Sequence, residues 1–348
     1  MGVTQKDIAI RVGIDRSVVA HALRGDPRVA ESTRRRILEV AGELGYTANS
    51  NPEARSLISR RHGKKGSLGQ IALLMGGGMD GLALQDMPFF REILQGIHAE
   101  CAQHDLDVSI HVPPRNRLPR LVTSGAVNGV ICVYSFDLSQ TLRDECPELP
   151  AVRLGHSFEK GEAGIRPDDR QGGYLATRHL LGLGHRRIGF VGDLGIEPHE
   201  MRNYGYLDAL RAAGVEADPD LLVSVGHVPS VTTGYRDTRG LFGDDRKFTA
   251  LVCCNDAVAL GVVKAATEAG LSVPGDLSVT GFDGARGEGY GGSESLSTVY
   301  FDRRIMGKRA VTLLNQLHDC ESALDKAALA SGRMLPVRMI EGRSTRPA

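Results

Sequence analysis

Residues 5–25, QKDIAIRVGIDRSVVAHALRG, predict two short helices joined by a tight turn. Apolar side chains recur at helical spacing on both sides of Gly13, where a glycine suits a left-handed turn conformation. Asp15 then supplies an N-cap oxygen for a second amphipathic helix, which ends at Gly25. The apolar positions are Ile8, Ala9, Val12, Val18, Val19, Ala22 and Leu23. Two short helices joined by a glycine-containing turn are typical of a helix-turn-helix unit.

The residues that follow complete a small helical domain. A third amphipathic helix is predicted over about Glu31–Leu44, and one or two further helical turns over about 52–59. Residues 60–67 read as a charged linker, so we expect an all-α headpiece at 1–59. Residues 1–66 hold 13 Lys and Arg against 7 Asp and Glu, although the whole chain has 42 of each. The N-terminal region is therefore a candidate for binding a polyanion.

Beyond the linker, short apolar runs alternate with amphipathic stretches. This rhythm predicts parallel α/β units, enough for two sheets of four or more strands in a two-lobed domain. Ligands of such folds bind at the carboxyl ends of the strands. The predicted strands are Gly69–Met75, Leu106–Val112, Gly129–Tyr134, Ala151–Leu154, Arg187–Val191, Leu221–Val225, Ala250–Cys254 and Ser278–Phe282. The expected boundaries are 68–340 for the domain, about 68–164 and 297–319 for its N-lobe, about 165–296 and 320–340 for its C-lobe, and 341–348 for a tail.

Composition excludes several classes of protein. Hydrophobic residues make up 41% of the chain and charged residues 24%, which is typical of a globular protein. The apolar runs fall far short of the ~20 residues that span a bilayer, so we expect no membrane partner. Charged residues begin at Lys6 and Asp7, and the N-terminal sequence lacks the apolar stretch of a secretory signal peptide. We therefore expect a cytoplasmic protein. The six cysteines show no Cys-x-x-Cys spacing, which favours buried, reduced thiols.

Two patterns imitate cofactor and metal sites. Residues 76–81, GGGMDG, follow a strand and formally satisfy the dinucleotide-binding glycine pattern, but no helix opens there and the second strand lacks a ribose-binding acid. His98, Cys101 and His104 have metal-like spacing, yet on a helix they span about 600°, which scatters them around its axis. No nucleophile can be assigned with a base. We therefore expect no catalytic residue, no metal, no cofactor and no enzymatic activity.

An ordered series of residues runs through both domains. In the headpiece the series is Asp7, Ile8, Ala9, Gly13, Ile14, Val19, Ala22, Leu23, Gly25, Val29, Thr33, Arg34, Ile37, Ala41, Leu44–Tyr46, Asn51 and Ala54–Leu57. In the core it is Pro88–Phe90, Gly184–Ile188, Arg202, Gly205, Tyr206, Asn255, Asp256, Leu260, Gly261, Val273, Pro274, Gly281–Asp283, Met306 and Gly307. This series resembles the LacI/GalR family of bacterial transcription regulators. The resemblance implies a helix-turn-helix headpiece with a hinge helix, followed by a two-lobed, periplasmic-binding-protein-like α/β core with parallel sheets.

The resemblance also implies which residues contact DNA. In the second helix, Arg16 could make a bidentate contact to guanine, Ser17 could contact several bases, and His21 could donate to a purine N7. The hinge helix would lie in the minor groove and insert Leu57 between base pairs. The alternatives are that Arg16 and His21 are solvated charges and that Leu57 packs on the core. The full set of expected DNA contacts is Thr4, Arg16, Ser17, His21, Asn51, Ala54 and Leu57.

The second helix, which would read the DNA bases (the reading helix), departs from the family pattern, as does the residue just before it. Asp15, Val18, Ala20 and His21 stand where the family usually has Ser, Thr, Ser and Arg, so two hydroxyls that commonly reach phosphate are missing. The preferred operator of this chain is therefore left open.

For the core, the resemblance implies a small-molecule effector in the cleft. Phe89 and Phe90 open the first core helix, where one ring could stack on the ligand and the other would be structural. Arg202 supplies donors and Asp256 an acceptor, although Asp256 could instead be the N-cap of its helix. His227 stands where the family often has an acid followed by an aromatic residue, so the ligand need not be an ordinary hexose. The expected effector-binding residues are Phe89, Phe90, Arg202, His227 and Asp256.

These observations together predict a ligand-responsive transcription regulator, with repression as the usual outcome in the family. We expect a homodimer on a near-palindromic operator, controlled by a sugar or a related metabolite. Two alternatives belong to other classes. A nucleotide-dependent oxidoreductase rests only on the glycine loop, and a free-standing solute-binding protein would share the two-lobed core but not the basic headpiece.

Overall fold

The structure of the chain is a computed structural model. It describes residues 5–23, 26, 28–44, 69–75, 88–113, 117–134, 136–155, 161–226, 229–243, 247–284, 296–320, 328–329 and 332–348. Several residues and segments named above lie outside these ranges, namely Thr4, Asn51, Ala54, Leu57, His227, the hinge helix and linker, and the glycine loop at 76–81.

The N-terminal helices form where the sequence predicts them. They are α1 (Gln5–Val12), α2 (Arg16–Leu23) and α3 (Glu31–Glu43). Gly13 has a φ of 77°, in the left-handed region, and its N–H donates to the Ala9 carbonyl over 2.9 Å, which ends α1. The predicted helix-turn-helix is confirmed. Its apolar core consists of Ile8, Ala9, Val12, Val19, Ala22, Leu23, Ile37, Leu38 and Ala41.

The rest of the described chain alternates strands with helices. The strands are β1 (Gln70–Met75), β2 (Asp107–His111), β3 (Gly129–Val133), β4 (Ala151–Leu154), β5 (Gly164–Pro167), β6 (Ile188–Gly192), β7 (Leu222–Ser224), β8 (Ala250–Cys253), β9 (Ser278–Asp283), β10 (Ser297–Tyr300), β11 (Gly332–Leu335) and β12 (Arg338–Ile340). The helices are α4 (Pro88–Gln103), α5 (Arg120–Thr123), α6 (Phe136–Glu145), α7 (Asp169–Gly182), α8 (Glu197–Ala212), α9 (Val231–Thr238), α10 (Asp256–Glu268) and α11 (Arg303–Asp319).

The strands form two six-stranded sheets, in the orders β11-β5-β4-β3-β1-β2 and β12-β10-β9-β8-β6-β7. In the first sheet β1 lies between β2 and β3, parallel to both, with Ile71 opposite Val108 and Gly129. In the second, β8 lies parallel between β6 and β9 and is buried along its length. The last strand, β12, runs antiparallel to β10. The predicted parallel α/β architecture is therefore confirmed, with one antiparallel strand at an edge.

Strands β5, β10, β11 and β12 are absent from the predicted set. Each is three or four residues long, and their sequences, GIRP, STVY, GRML and RMI, mix arginine, hydroxyl and apolar side chains. Such short segments contain too few residues to show a hydrophobic period. They become strands because an existing sheet edge supplies their hydrogen-bond partners.

Residue contacts divide the chain into two compact units. One comprises residues 1–78, 100–152 and 311–329, and the other residues 79–99, 153–310 and 330–348. The second unit contains every described residue that the sequence assigns to the effector site. The lobe boundaries expected from the sequence stay a prediction.

The C-terminal residues 341–348, which the sequence separates as a tail, pack on the second sheet. The Val279 N–H donates to the Ser344 carbonyl over 2.8 Å, and the Ser344 hydroxyl donates to the Val279 carbonyl over 2.6 Å. His185, only 3% exposed, lies below this segment, with Nε2 3.1 Å from the carbonyl of Arg346. The C-terminal segment is therefore part of the folded second unit.

Two further observations concern the part of the chain that the structure describes. None of its helices has the length and apolar character needed to cross a bilayer. Its cysteines are free thiols, of which Cys101, Cys132, Cys253 and Cys254 are buried. Burial raises the pKa of the Cys101 thiol to about 11 and that of Cys254 to about 12, so neither is a ready nucleophile.

Candidate functional site

The first candidate site is the exposed face of α2. Val19, Ala22 and Leu23 face the headpiece core, which leaves Arg16 and Ser17 exposed at the helix start. Ser17 donates its backbone N–H over 2.7 Å and its hydroxyl over 2.5 Å to Asp15 Oδ1. These hydrogen bonds lower the pKa of Asp15, so the carboxylate caps the helix in its charged form. The Ser17 hydroxyl hydrogen is thus engaged, and its oxygen remains an acceptor.

His21 lies one turn beyond Ser17, with 40% of its side chain exposed. Its Nδ1 is 3.0 Å from Asp26 Oδ2, in the connection between α2 and α3. Asp26 also accepts hydrogen bonds from the guanidinium and the backbone N–H of Arg28. The His21 ring is therefore held by a carboxylate, while part of the side chain stays exposed.

The second candidate site is centred on Arg202 in α8. Helices α7 and α8 pack closely because each carries a glycine at the contact. A Cβ on Gly173 would lie 1.9 Å from the Arg202 carbonyl, and one on Gly205 would lie 1.9 Å from the Arg170 carbonyl. Only glycine permits this approach, which brings the Arg202 side chain against Asp169 at the start of α7.

Arg202 is buried in a specific set of contacts. Its Nε and Nη2 donate to Asp169 Oδ1 over 2.9 and 2.8 Å, and its Nη1 donates to the Cys254 carbonyl. The guanidinium carbon stacks 3.5 Å from the centre of the Phe282 ring. Burial raises the pKa of Asp169 to about 6, an effect that the Arg202 charge opposes. The guanidinium predicted to contact the effector is thus held rigidly at the carboxyl ends of β8 and β9.

Asp256 is also buried, at 1% exposure. Its Oδ1 accepts a hydrogen bond from the Thr298 hydroxyl over 2.5 Å. Asn255 supplies the N-cap of α10, because its side-chain oxygen accepts from the Val258 N–H over 2.8 Å. The alternative in which Asp256 is the N-cap is therefore wrong. A Cβ on Gly281 would lie 2.2 Å from Asp256 Oδ1, so a glycine is needed beside this carboxylate.

The two aromatic residues at the start of α4 differ in their surroundings. Phe90 is 7% exposed, whereas Phe89 is half-buried, and the two rings meet edge to face with centroids 5.1 Å apart. Phe89 also meets Phe301 at 6.1 Å and the guanidinium carbon of Arg303 at 5.8 Å. Phe90 is therefore the better fit to the structural role expected for one of the pair.

Two charged residues of this region, Arg303 and Asp283, have no role predicted from the sequence. Arg303 is 1% exposed and donates to Glu92 Oε2 over 2.9 Å from Nη2 and to the Gly284 carbonyl over 3.2 Å. Asp283 has a φ of 114°, unusual for a residue with a Cβ, and burial raises its pKa to about 6 against the opposing charges of Arg202 and Arg303. Asp283 could have been suspected from its place at the end of a predicted strand. No sequence pattern around Arg303 pointed to a role for this residue in the site.

Arg202, Asp256, Phe89 and Phe90 all lie in the second unit, and the first two meet neighbouring strands of one sheet. His227 lies outside the residues that the structure describes. Within the described ranges, no three His, Cys, Asp or Glu side chains are grouped as a metal site would require. The arrangement offers fixed polar groups near aromatic rings, which suits binding of a polar small molecule.

Known protein families match the N-terminal headpiece and the α/β core of this chain separately. Residues 4–49 match the family profile described as bacterial regulatory proteins, lacI family, and residues 177–345 match the periplasmic binding protein-like domain. The HTH-type transcriptional repressor PurR of Pasteurella multocida is 29% identical over 321 residues, which cover 89% of this chain and 90% of that protein. The ribose operon repressor of Haemophilus influenzae is 29% identical over 320 residues, covering 90% and 91%.

Solved structures agree with the fold. A LacI family transcriptional regulator from Enterococcus faecium, with bound ribose, is 26% identical with a TM-score of 0.68, covering 80% of this chain and 99% of that one. The lac repressor dimer bound to operator and the anti-inducer ONPF is 24% identical with a TM-score of 0.68, covering 99% and 100%. The similarity therefore extends over the headpiece and the core in one chain.

Proposed function

The chain belongs to the LacI/GalR family of bacterial transcription regulators, and we propose that it represses transcription as a homodimer on a near-palindromic operator. It is a ligand-responsive, DNA-binding regulator rather than an enzyme, in keeping with relatives that are transcriptional repressors. A dimer fits this role because a two-fold axis matches two inverted half-sites. The compartment that follows from this function is the cytoplasm.

The observation that carries the proposal is the exposed face of α2 on a basic N-terminal region. Arg16 is exposed at the first residue of that helix, and no described residue forms a hydrogen bond or ion pair with it. Its planar fork of donors suits the O6 and N7 acceptors of guanine in the major groove. Thr4, Ser17 and His21 complete the proposed contacts of the headpiece, with Asn51, Ala54 and Leu57 in the hinge.

On the effector side, we propose a sugar or a related metabolite. Arg202 and Asp256 would hold its polar groups and Phe89 would cover an apolar face, with Phe90 supporting the Phe89 ring and His227 completing the site. The contacts of Arg202 support this role because a guanidinium fixed by Asp169 and Phe282 loses little freedom on binding. Two similar proteins, a ribose operon repressor and a regulator with bound ribose, fit this class of ligand.

The proposed mechanism is a population shift. A ligand that prefers one conformation of the core changes how often the hinge segments fold on DNA, and operator affinity follows. A helix of about two turns is unstable alone, so its formation would depend on DNA and on the partner subunit's copy beside it.

The experiment that tests the function is selection of bound fragments from genomic DNA by the full-length protein at near-physiological salt. At such salt non-specific contacts with DNA are weakened, so an enriched palindrome supports the proposed function as a sequence-specific regulator. Arg16→Ala should then lose operator affinity by about 5- to 150-fold for each half-site, the value of one good bidentate base contact. Arg11→Ala, an exposed arginine on α1, is the matched control and should retain most of the affinity. Enrichment of no sequence, with or without candidate ligands, would contradict the proposal.

The hinge gives a second prediction. Leu57→Ala should weaken binding to the selected operator far more than binding to random DNA, because a wedge between base pairs acts only where the hinge helix forms. The two affinities can be compared by fluorescence anisotropy at one salt concentration. Equal losses on both DNAs would instead assign Leu57 to the linker.

A further inference from the structure

The connection between α2 and α3 contains a compact set of hydrogen bonds centred on Asp26. Its Oδ1 accepts from the backbone N–H and the Nε of Arg28, both over 3.0 Å. Its Oδ2 accepts from Arg28 Nη2 over 2.7 Å and lies 3.0 Å from His21 Nδ1. Arg34 of α3 donates to the Asp26 carbonyl. The carboxylate is thus held by its neighbours, and it contacts the reading helix through one histidine.

This contact determines which nitrogen of His21 carries a hydrogen. The hydrogen bonds from Arg28 hold the pKa of Asp26 well below its usual range, so the group is a carboxylate and only accepts. His21 Nδ1 must therefore donate. In the neutral ring the other nitrogen, Nε2, then has a lone pair and no hydrogen, and it can only accept.

The free nitrogen belongs to a side chain on the proposed DNA-reading face. His21 and Ser17 are four residues apart on α2 and so share one side of the helix, and Ser17 is exposed. His21 itself keeps 40% of its side chain exposed although Asp26 holds Nδ1. A neutral ring in this position cannot donate to a purine N7 as the sequence suggested.

We propose that His21 selects a base pair by accepting a hydrogen bond at Nε2 from an exocyclic amino group in the major groove, the N6 of adenine or the N4 of cytosine. Guanine and thymine present only acceptors at the corresponding places, so they are disfavoured. Asp26 is the positioning residue, because it fixes the tautomer and the orientation of the ring. This inference rests on the proposed function, in which α2 reads an operator.

The test uses the full-length protein and the operator obtained by selection, at pH 8.5. Affinities are measured for operators carrying each of the four base pairs at every position of both half-sites. His21→Ala should abolish discrimination at one position per half-site, where the wild-type protein prefers adenine or cytosine on the contacted strand. Arg11→Ala on α1 is the control and should leave the preference unchanged.

Deletion of a single functional group in the DNA then isolates the hydrogen bond without changing the protein. Purine in place of the adenine, or 2-pyrimidinone in place of the cytosine, removes the amino group together with the hydrogen bond that it donates to the partner base. The loss is therefore compared with that of His21→Ala on the same DNA. The wild-type protein should lose about five- to tenfold more affinity than His21→Ala, the value of one net hydrogen bond.

A variant of the carboxylate tests its positioning role. Asp26→Ala frees either nitrogen of the ring to carry the hydrogen, so the preference for the amino base over guanine should shrink towards unity. Circular dichroism and affinity for random DNA show whether this variant is folded. If it is not, the amino-group deletion on the wild-type protein still decides the question.

Three outcomes would overturn the inference while leaving the regulator intact. They are an enriched operator in which the His21-dependent position prefers guanine or thymine, no loss on deletion of the amino group, and His21→Ala leaving discrimination unchanged at every position. Failure to enrich any operator is a different result, because it contradicts the proposed function itself.

Discussion

The roles of single residues in this protein depend on their partners, some of which are distant in the sequence and some close. Arg202 meets Asp169 33 residues before it and the Cys254 carbonyl 52 residues after it. His21 meets Asp26 only five residues away, and because a carboxylate only accepts, Nδ1 is the ring nitrogen that donates to it. The identity of a side chain therefore sets what it can do, and its partners select among these possibilities.

Removal of Arg202 should reduce stability as well as the response to effector. Arg202→Ala leaves the Asp169 carboxylate buried without its partner, so we expect the free energy of unfolding to fall by about 3–5 kcal/mol. Urea denaturation measures this change. Arg211→Ala on the same helix breaks an exposed pair with Asp208 and should hardly move the transition. Equal effects of the two substitutions would show that the Arg202 contacts do not stabilise the fold.

The effector response of the same variant is a separate quantity. If Arg202 contacts the ligand, operator binding by Arg202→Ala should no longer change with effector at a temperature where the variant is folded. An unchanged dose response would remove Arg202 from the effector site while leaving its structural role.

Burial of His185 predicts a dependence of stability on pH. Burial lowers the pKa of His185 below its ordinary value of 6.5, so the unfolded chain binds more protons than the folded one just below that pH. The contribution of His185 to the free energy of unfolding should therefore fall as pH is lowered from about 6.5. Because burial also lowers the pKa of His179 and raises the pKa values of Asp169 and Asp283, which act in the opposite direction, the contribution of His185 is the part of the pH dependence that His185→Gln removes. Parallel curves for wild type and variant, measured by urea denaturation from pH 5 to 8, would contradict the prediction.

At the scale of elements, the headpiece depends on three short helices around one small core. Helices α1 and α2 have eight residues each, too short to be stable alone, so their order comes from the shared apolar contacts. The exposed face of α2 is presented correctly only while α1 and α3 hold its buried side.

A cavity in this core should therefore abolish DNA binding. Ile37 is fully buried in α3, and Ile37→Ala removes about 2–5 kcal/mol from a unit of this size, comparable with its whole stability. We expect loss of operator binding and faster proteolysis within residues 1–44. Ile10→Ala, on the exposed side of α1 at 71% exposure, is the matched control and should keep both properties. Retained operator binding by Ile37→Ala would show that the headpiece does not need this core.

At the scale of the whole molecule, the formal net charge of zero results from a basic N-terminal region and an acidic remainder. Such a division places attraction for DNA in the headpiece and leaves the core without general affinity for phosphate. The two functions, reading DNA and sensing a ligand, then have to be coupled through conformation rather than through direct charge.

That coupling has a reciprocal consequence. Whatever factor an effector applies to operator affinity, the operator should apply the same factor to effector affinity, because both report one coupling free energy. A ligand found by thermal-shift screening can be titrated into the protein with and without operator, and the operator with and without ligand. A factor of one in both titrations would show that this ligand does not control operator binding.

Sequence alone determined the helix-turn-helix and most of the alternating strands and helices. The bounds of β4 are as predicted, and those of α3 and of the other predicted strands lie within a few residues, because periodicity, capping residues and glycine turns act between near neighbours. The short strands β5, β10, β11 and β12 were missed because their order comes from a sheet edge already in place. The C-terminal segment likewise packs on the second sheet only through contacts with residues such as Val279 and Ser297, which are distant in the sequence.

The site divides in the same way. Ordered motifs of the sequence pointed to Arg16, Arg202 and Asp256, but the partners that orient these groups could not be read from it. Only the tertiary structure decided that Arg202 is fixed by Asp169, that Asn255 caps α10 and that Arg303 lies beside Phe89. The physical reason is range: hydrophobic period and capping are properties of a few adjacent residues, whereas burial, ion pairs and the state of a carboxyl group depend on atoms that only the folded chain brings together.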